Sequence, residues 1–193
     1  GYSDRAEQLE NTAQTVFDIG SITKQFTAAA ILKLEMKGQL SVTDKMSKYI
    51  DGVPADKQAI TLHHLLTHSA GFPGAIGHDY VSIETAEFVQ EAFAKPLLFE
   101  PGKQYEYSNV GYSLLGIIVE KLSGQSYETF LREQLWLPAG MKQTGYQQAS
   151  FGDIAVGYQG KEPWGKPIEK KWGSDGPYWH LRANGGVLST VED

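Results

Sequence analysis

A serine and a lysine lie three residues apart in the stretch VFDIGSITKQF, residues 16–26 of the chain. The run before Gly20 is partly β-branched and aromatic, and the residues from Ser21 onward follow helical spacing, so the pair stands at the start of a predicted helix. Side chains three positions apart share one helix face, and Lys24 can therefore reach the Ser21 hydroxyl. This placement suits acyl transfer, because a serine becomes a nucleophile when a neighbouring base removes its proton.

The start of a helix favours this chemistry for a second reason. Its partial positive charge disfavours the ammonium form of Lys24 and favours an oxyanion that forms beside the Ser21 amide. A lysine acts as a base only if its pKa falls from the free value of about 10.4. Taken alone, however, a Ser-x-x-Lys motif is better explained as an N-cap serine followed by a solvated lysine, because the motif is short and its residues are common.

Tyr107 and Asn109 form a second candidate pair. They follow a Pro-Gly turn and precede an apolar helical run, and two side chains two positions apart in an extended segment project to the same side. A tyrosinate near a lysine could serve as a general base, and the amide of Asn109 could bind a substrate carbonyl or the lysine amine. Tyr-x-Asn alone carries little information, so these residues gain weight only together with Ser21 and Lys24.

Five segments of the chain resemble the penicillin-recognising serine hydrolases, a family that comprises class C β-lactamases, D-alanyl-D-alanine carboxypeptidases and β-lactamase-like esterases. They read FDIGSITKQFTAAAILKLEMKGQLSVTDKMSKYI, ITLHHLLTHSAGFP, FEPGKQYEYSNVGYSLLGIIVEKLSG, GMKQTGY and NGGVLSTVED. The resemblance implies that Ser21 is the acylated nucleophile and Lys24 its hydrogen-bonded partner. It further implies that Tyr107 is the general base or proton relay, that Asn109 binds substrate, and that the Ser21 backbone N–H forms half of an oxyanion hole. A tyrosine at position 107 favours the class C and carboxypeptidase side of the family.

The function implied by the resemblance is that of a serine hydrolase working through an acyl-enzyme on a β-lactam, a D-Ala-D-Ala-like peptide or a small ester. These substrates share the first half-reaction and differ in how water reaches the acyl group, so the sequence does not separate them. The alternatives are a non-catalytic ligand-binding or sensor module and an inactive fragment. The joint presence of the four residues argues against a mere binder, which has no need of an activated nucleophile.

The fold implied by the resemblance is α/β (α+β), of the β-lactamase/transpeptidase type, with an antiparallel sheet flanked by helices and a mostly helical region beside it. We expect a single incomplete domain over residues 1–193, with sheet strands in 1–20 and the catalytic helix and mainly helical region in 21–193. A third family motif, Lys or His and then a residue such as Thr or Ser before Gly, is not found. We therefore expect a fragment without the C-terminal strands, which the missing part of its own domain would complete and which alone has little or no activity.

Periodicity and capping residues predict the elements that carry these side chains. Residues 145–186 lack periodicity and are rich in glycine, proline and aromatic residues, which predicts a long irregular segment. Phe26, Leu32 and Leu34 are predicted to face the core. Strands are predicted at 1–5 and 15–19, and helices at 21–38, after a Thr61 cap, between a Ser82 cap and Pro96, at 110–122 and at 126–135.

Composition limits the classes of partner. The chain has 193 residues and a net charge of -6 from 17 basic and 23 acidic side chains, without a basic stripe, so we expect no nucleic acid and no anionic membrane surface as partner. No apolar run approaches the roughly 18 residues of a membrane span. The absence of cysteine excludes disulfide and thiolate chemistry and leaves the compartment open. The resemblance favours a periplasmic or secreted protein, a cytoplasmic one stays open, and the expected partner is a small-molecule or peptide substrate without a cofactor.

Two histidines and three aromatic residues have competing interpretations. His64 and His68 could bind zinc from one helix face, but the glutamate of a His-Glu-x-x-His motif and a third ligand are missing, so we predict no metal and expect hydrogen bonds to loop backbone instead. The aromatic residues could line a substrate cleft, although a core role is favoured for them. They are Trp172, Tyr178 and Trp179.

Overall fold

A computed structural model describes residues 1–193 and contains six strands and six α-helices. The strands are β1 (Tyr2–Asp4), β2 (Leu9–Glu10), β3 (Phe17–Asp18), β4 (Gly157–Gln159), β5 (Glu162–Gly165) and β6 (Leu188–Ser189). The helices are α1 (Thr23–Met36), α2 (Leu62–Leu66), α3 (Thr85–Ala94), α4 (Asn109–Ser123), α5 (Tyr127–Leu131) and α6 (Leu137–Ala139). A π-helical turn, Arg132–Trp136, joins α5 to α6, and 3-10 turns occur at Gly20–Ile22, Met46–Lys48, Ala55–Lys57 and Pro167–Glu169.

The strands form three separate two-stranded antiparallel sheets, β1–β2, β3–β6 and β4–β5. This combination of helices and small antiparallel sheets confirms the mixed α/β class. In the β3–β6 pair, Phe17 lies opposite Ser189 and Asp18 opposite Leu188, which brings the last strand beside the residues that lead into α1. Because β4, β5 and β6 all follow residue 20, the sheet strands are not confined to residues 1–20 as predicted.

Local sequence signals locate most helix starts. Thr61 caps α2 as predicted, since its side chain accepts a hydrogen bond from the His64 amide at 3.2 Å. The prediction that Ser82 caps the next helix is wrong, because α3 begins at Thr85 after Glu84. The Ile83 side chain is already buried in the core at this point, Glu84 is extended, and the helix begins only after it.

The main core is a cluster of 31 buried hydrophobic side chains between α1, α4 and α5. Every position of α4 from Val110 to Val119 is buried, as expected for a helix covered on all sides. Leu34 is fully buried and Phe26 packs edge-on against Trp136 at 5.6 Å, which confirms their predicted core position. Leu32 is instead 48% exposed, because two residues correspond to roughly 200° around a helix and turn it away from the Leu34 face.

The segment predicted to be irregular contains more structure than expected. It holds the β4–β5 hairpin, whose register pairs Gly157 with Gly165. Trp179 is only 3% exposed within the main core, and Trp172 and Tyr178 pack against that core, so their favoured core role is confirmed. No helix of the structure has both the length and the apolar character that a membrane span requires.

Candidate active site

Ser21 lies in the short turn that leads into α1. Gly20 before it has a φ of +52°, a conformation that glycine adopts without strain, and its amide donates to the Asp18 carboxylate at 2.8 Å. The turn leaves the Ser21 side chain exposed, while Lys24 one turn later is only 5% exposed. The Lys24 Nζ lies 3.1 Å from the Ser21 Oγ, the distance of a hydrogen bond.

Tyr107 approaches the same hydroxyl from another part of the chain. Its phenolic oxygen lies 2.7 Å from the Ser21 Oγ, and the Lys24 Nζ lies 4.7 Å from the centre of its ring. The following residue, Ser108, caps α4 by accepting a hydrogen bond from the Gly111 amide at 3.3 Å. Tyr107 therefore lies just before a buried helix. Its hydroxyl and the Lys24 amine both lie within hydrogen-bond distance of the Ser21 hydroxyl.

Lys24 has a second partner that the sequence did not indicate. Its Nζ donates to the backbone carbonyl of Asn184 at 2.7 Å. The Asn184 side-chain amide donates to the Ser113 Oγ at 2.8 Å and to the His180 carbonyl at 2.9 Å, so the residue is anchored on both sides. Every residue has a backbone carbonyl, so residue type does not reveal this contact.

The surroundings move the pKa values of both candidate bases downward. Burial lowers the pKa of Lys24, and the neighbouring Tyr107 and the charge of Asp79 only partly oppose this effect. Burial acts to raise the pKa of Tyr107, but its interactions with Lys24 and Ser21 outweigh burial and leave that pKa below its usual value. Both pKa values thus lie below those of the free side chains, and the shift of Tyr107 depends on its contact with Lys24.

Asn109 takes no part in this hydrogen-bond network. Its backbone amide donates to the Gly74 carbonyl at 2.8 Å, and its buried side-chain Oδ1 has no hydrogen-bond partner. The side chain lines a small cavity at the start of α4 and makes no hydrogen bond to Ser21 or Lys24. The cavity is also lined by Ala75, Ile76, Phe88, Val110, Ser113 and His180.

Both histidines considered as zinc ligands accept hydrogen bonds from backbone amides. The His64 Nδ1 accepts from Thr61 at 3.3 Å, and the His68 Nδ1 accepts from Ser108 at 3.1 Å. These bonds agree with the interpretation that the histidines shape the adjoining loops. The structure contains no group of three or more His, Cys, Asp or Glu side chains arranged to hold a metal ion.

A family model described as Beta-lactamase matches residues 1–193. Penicillin-binding protein 4* of Bacillus subtilis (strain 168) is 36% identical over 152 residues, which are 75% of this chain and 33% of that protein. An octameric penicillin-binding protein homologue from Pyrococcus abyssi is 33% identical with a TM-score of 0.81, over 100% of this chain and 46% of that one. A class C β-lactamase from Rhodobacter sphaeroides is 25% identical with a TM-score of 0.80, over 100% of this chain and 53% of that one.

Proposed function

The chain belongs to the β-lactamase family, and on this premise we propose that it is a serine hydrolase that forms an acyl-enzyme on Ser21. The observation that carries the proposal is the convergence of two candidate bases on one exposed hydroxyl. The Lys24 Nζ and the Tyr107 phenol lie 3.1 and 2.7 Å from the Ser21 Oγ, and the pKa of each base is lowered. A serine without a reactive role needs no such pair of partners.

The first half-reaction follows from these distances. Tyr107 in its phenolate form accepts the Ser21 proton, and Lys24 stabilises that phenolate by its charge. The Ser21 Oγ then bonds to the substrate carbonyl carbon, and the carbonyl electron pair moves onto its oxygen. When this intermediate collapses, the bond to the leaving nitrogen or oxygen breaks and the proton passes from Tyr107 to the leaving group.

The second half-reaction repeats these steps with water. A water molecule gives its proton to Tyr107 and attacks the acyl carbon, and the ester bond to the Ser21 Oγ breaks as the oxygen regains its proton. The Asn184 carbonyl supports both halves, because it accepts one Lys24 N–H at 2.7 Å and so keeps the amine beside the hydroxyl. We assign Asn109 to substrate binding on the family resemblance; its Oδ1 is buried without a hydrogen-bond partner, so contact with a substrate at Ser21 requires the side chain to turn out of its present position.

The proposed substrates are carbonyl compounds with a leaving amine or alcohol, namely a β-lactam, a D-Ala-D-Ala-like peptide or a small ester. The chain spans 33% of its Bacillus subtilis relative and about half of the two solved structures. The activity of a whole protein of that length is part of the proposal and is tested separately from the 193-residue chain.

The test is intact-protein mass spectrometry after incubation with a fluorescent penicillin and, separately, a fluorophosphonate. We expect one adduct per chain, lost in Ser21→Ala and kept in Ser82→Ala, a control at another exposed serine. Tyr107→Phe should slow labelling by about 100-fold, since general-base catalysis contributes roughly 10²–10⁴-fold.

The other outcomes decide against part or all of the proposal. An adduct that persists in Ser21→Ala excludes Ser21 as the nucleophile. A Ser21 adduct that never releases product supports the ligand-binding alternative. If the chain gives no adduct, the same assay on a chain extended to the length of its relatives decides whether the site needs further residues, and a second negative result refutes the hydrolase.

A further inference from the structure

The imidazole of His68 lies flat against the ring of Tyr107. Their centroids are 4.5 Å apart and the planes are inclined by 30°, which is a stacked arrangement. The Tyr107 side chain is 40% exposed, so contacts on its covered face decide where its hydroxyl lies. His68 therefore supports the ring whose hydroxyl reaches the Ser21 Oγ.

His68 also holds the backbone on both sides of Tyr107. Its carbonyl accepts a hydrogen bond from the Glu106 amide at 2.9 Å, and its Nδ1 accepts one from the Ser108 amide at 3.1 Å. His68 thus accepts hydrogen bonds from the residues immediately before and after Tyr107, while its ring stacks on the Tyr107 ring. Such a three-point contact restrains both the position of Tyr107 and the rotation of its side chain.

The placement of His68 itself is fixed by the end of α2. Its φ is +57°, a left-handed conformation that is uncommon outside glycine and that histidine, asparagine and aspartate adopt more often than other residues. Its ring lies 5.0 Å from the ring of Tyr112, whose hydroxyl donates to the Leu66 carbonyl at 2.9 Å. The residue that contacts Tyr107 is therefore anchored to the core helix α4 and to the last turn of α2.

We propose that His68 is a positioning residue that holds the Tyr107 hydroxyl in line with Ser21 and Lys24. The inference rests on the proposed function of Tyr107 as the base and adds the group that fixes its geometry. Because Nδ1 accepts from the Ser108 amide, the neutral imidazole carries its proton on Nε2. Burial, followed by the charge of Lys24, lowers the pKa of His68 and keeps this neutral form.

Two variants separate the contacts that His68 makes. His68→Asn removes the ring but keeps a side-chain acceptor, and asparagine tolerates the left-handed backbone. His68→Ala removes both the ring and the acceptor. The matched control is His63→Asn, an exposed histidine of α2 whose side chain makes no hydrogen bond to Tyr107 and no stacking contact with it.

The decisive measurement is the ionisation of Tyr107 in the 193-residue chain, followed by nuclear magnetic resonance of tyrosine labelled with ¹³C at Cζ. Tyr107→Phe identifies the signal. We expect wild type and His63→Asn to titrate below the usual value of about 10. The titration should move upward in His68→Asn and further in His68→Ala, because a loosened phenol loses its contacts with Lys24 and Ser21. Fluorophosphonate labelling of Ser21 should slow by about tenfold in His68→Ala, in keeping with the cost of a small misplacement.

Each result decides one question. An unchanged Tyr107 titration in both folded His68 variants overturns the positioning role, whatever their labelling rates. If wild type is not labelled, labelling of the extended chain decides on the proposed function, and the titrations still test the contact. If His68→Ala does not fold, His68→Asn alone decides, since the loss of the stack should still move the Tyr107 signal relative to His63→Asn.

Discussion

Glu128→Ala is the substitution expected to cost the most stability outside the candidate site. The Glu128 side chain is 1% exposed, and its Oε1 accepts hydrogen bonds from three consecutive backbone amides. The donors are Tyr146 at 2.6 Å, Gln147 at 2.9 Å and Gln148 at 2.9 Å. Alanine leaves all of them without this acceptor.

The magnitude follows from those bonds. An unpaired buried donor costs about 1–3 kcal/mol, and water can reach the partly buried end of this loop, so we expect a loss of about 3–5 kcal/mol in the free energy of unfolding. In a chain of this size 1 kcal/mol corresponds to roughly 2–4 °C, so Tm should fall by about 6–20 °C. Glu128→Gln keeps an oxygen acceptor without the charge and should lose about 1–2 kcal/mol.

Glu128→Ala is also expected to disturb the position of Lys24 in the candidate site. The Tyr146 hydroxyl donates to the Gly185 carbonyl at 3.0 Å and accepts from the Ala183 amide at 3.2 Å. These residues flank Asn184, whose carbonyl holds Lys24. A displaced Tyr146 should therefore loosen Lys24 and slow the labelling of Ser21.

Urea unfolding followed by circular dichroism measures the free energies, and a thermal scan measures Tm. The control is Glu133→Ala, an exposed glutamate of the adjoining turn, which should stay within about 0.5 kcal/mol of wild type. If Glu128→Ala lies within about 1 kcal/mol of that control, the three hydrogen bonds do not support the loop and the reasoning is refuted.

Three further predictions concern packing, a buried hydroxyl and pH. In Gly116→Ala the new Cβ would lie 2.4 Å from the Ala183 Cβ, so urea unfolding should show a loss of about 1–3 kcal/mol; equal or greater stability would contradict the close approach. Thr27→Val removes the hydroxyl that lies 2.6 Å from both the Ala183 carbonyl and the Tyr127 hydroxyl. The free energy of unfolding should fall by about 2–4 kcal/mol in the same assay, and a change below about 0.5 kcal/mol would refute that bond network. Burial lowers the pKa of His64 in the folded chain, so the unfolded chain binds a proton at this side chain more readily. The stability that neutral His64 contributes is therefore complete above the unfolded pKa of about 6.5 and is lost as pH falls through the lower folded pKa. The fall in stability between pH 7.5 and 5 should thus be smaller in His64→Asn, and an equal fall in both proteins would contradict it.

The parts of the fold that could be predicted are those set by local signals. The hydroxyl of Thr61 and the apolar run after Ser108 located α2 and α4, because caps and buried faces act within a few residues. Ser82 carries the same kind of signal, but α3 begins only at Thr85, after the buried Ile83 and the extended Glu84. The β4–β5 hairpin was not predicted, because its glycine-rich and aromatic strands lack alternation.

The candidate site likewise contains residues that the sequence predicted and contacts that it did not. Its proposed nucleophile, lysine and tyrosine came from residue types and family resemblance, and their roles stay predictions. The partners that hold them were not predicted. The sequence predicts only that His68 shapes a loop. Asn184 binds Lys24 through its backbone carbonyl, a group that does not depend on residue type.

The sequence by itself determined the proximity of Ser21 and Lys24, because a helix brings any two residues three apart onto one face. Only the tertiary structure decided that Tyr107, 86 residues away, reaches the same hydroxyl, and that Asn184, 160 residues from Lys24, accepts its amine. The structure also left Asn109 outside that network, although its motif suggested contact. Contacts across such separations depend on how α1, α4 and the following loops pack, and packing is a property of the whole core rather than of any short stretch.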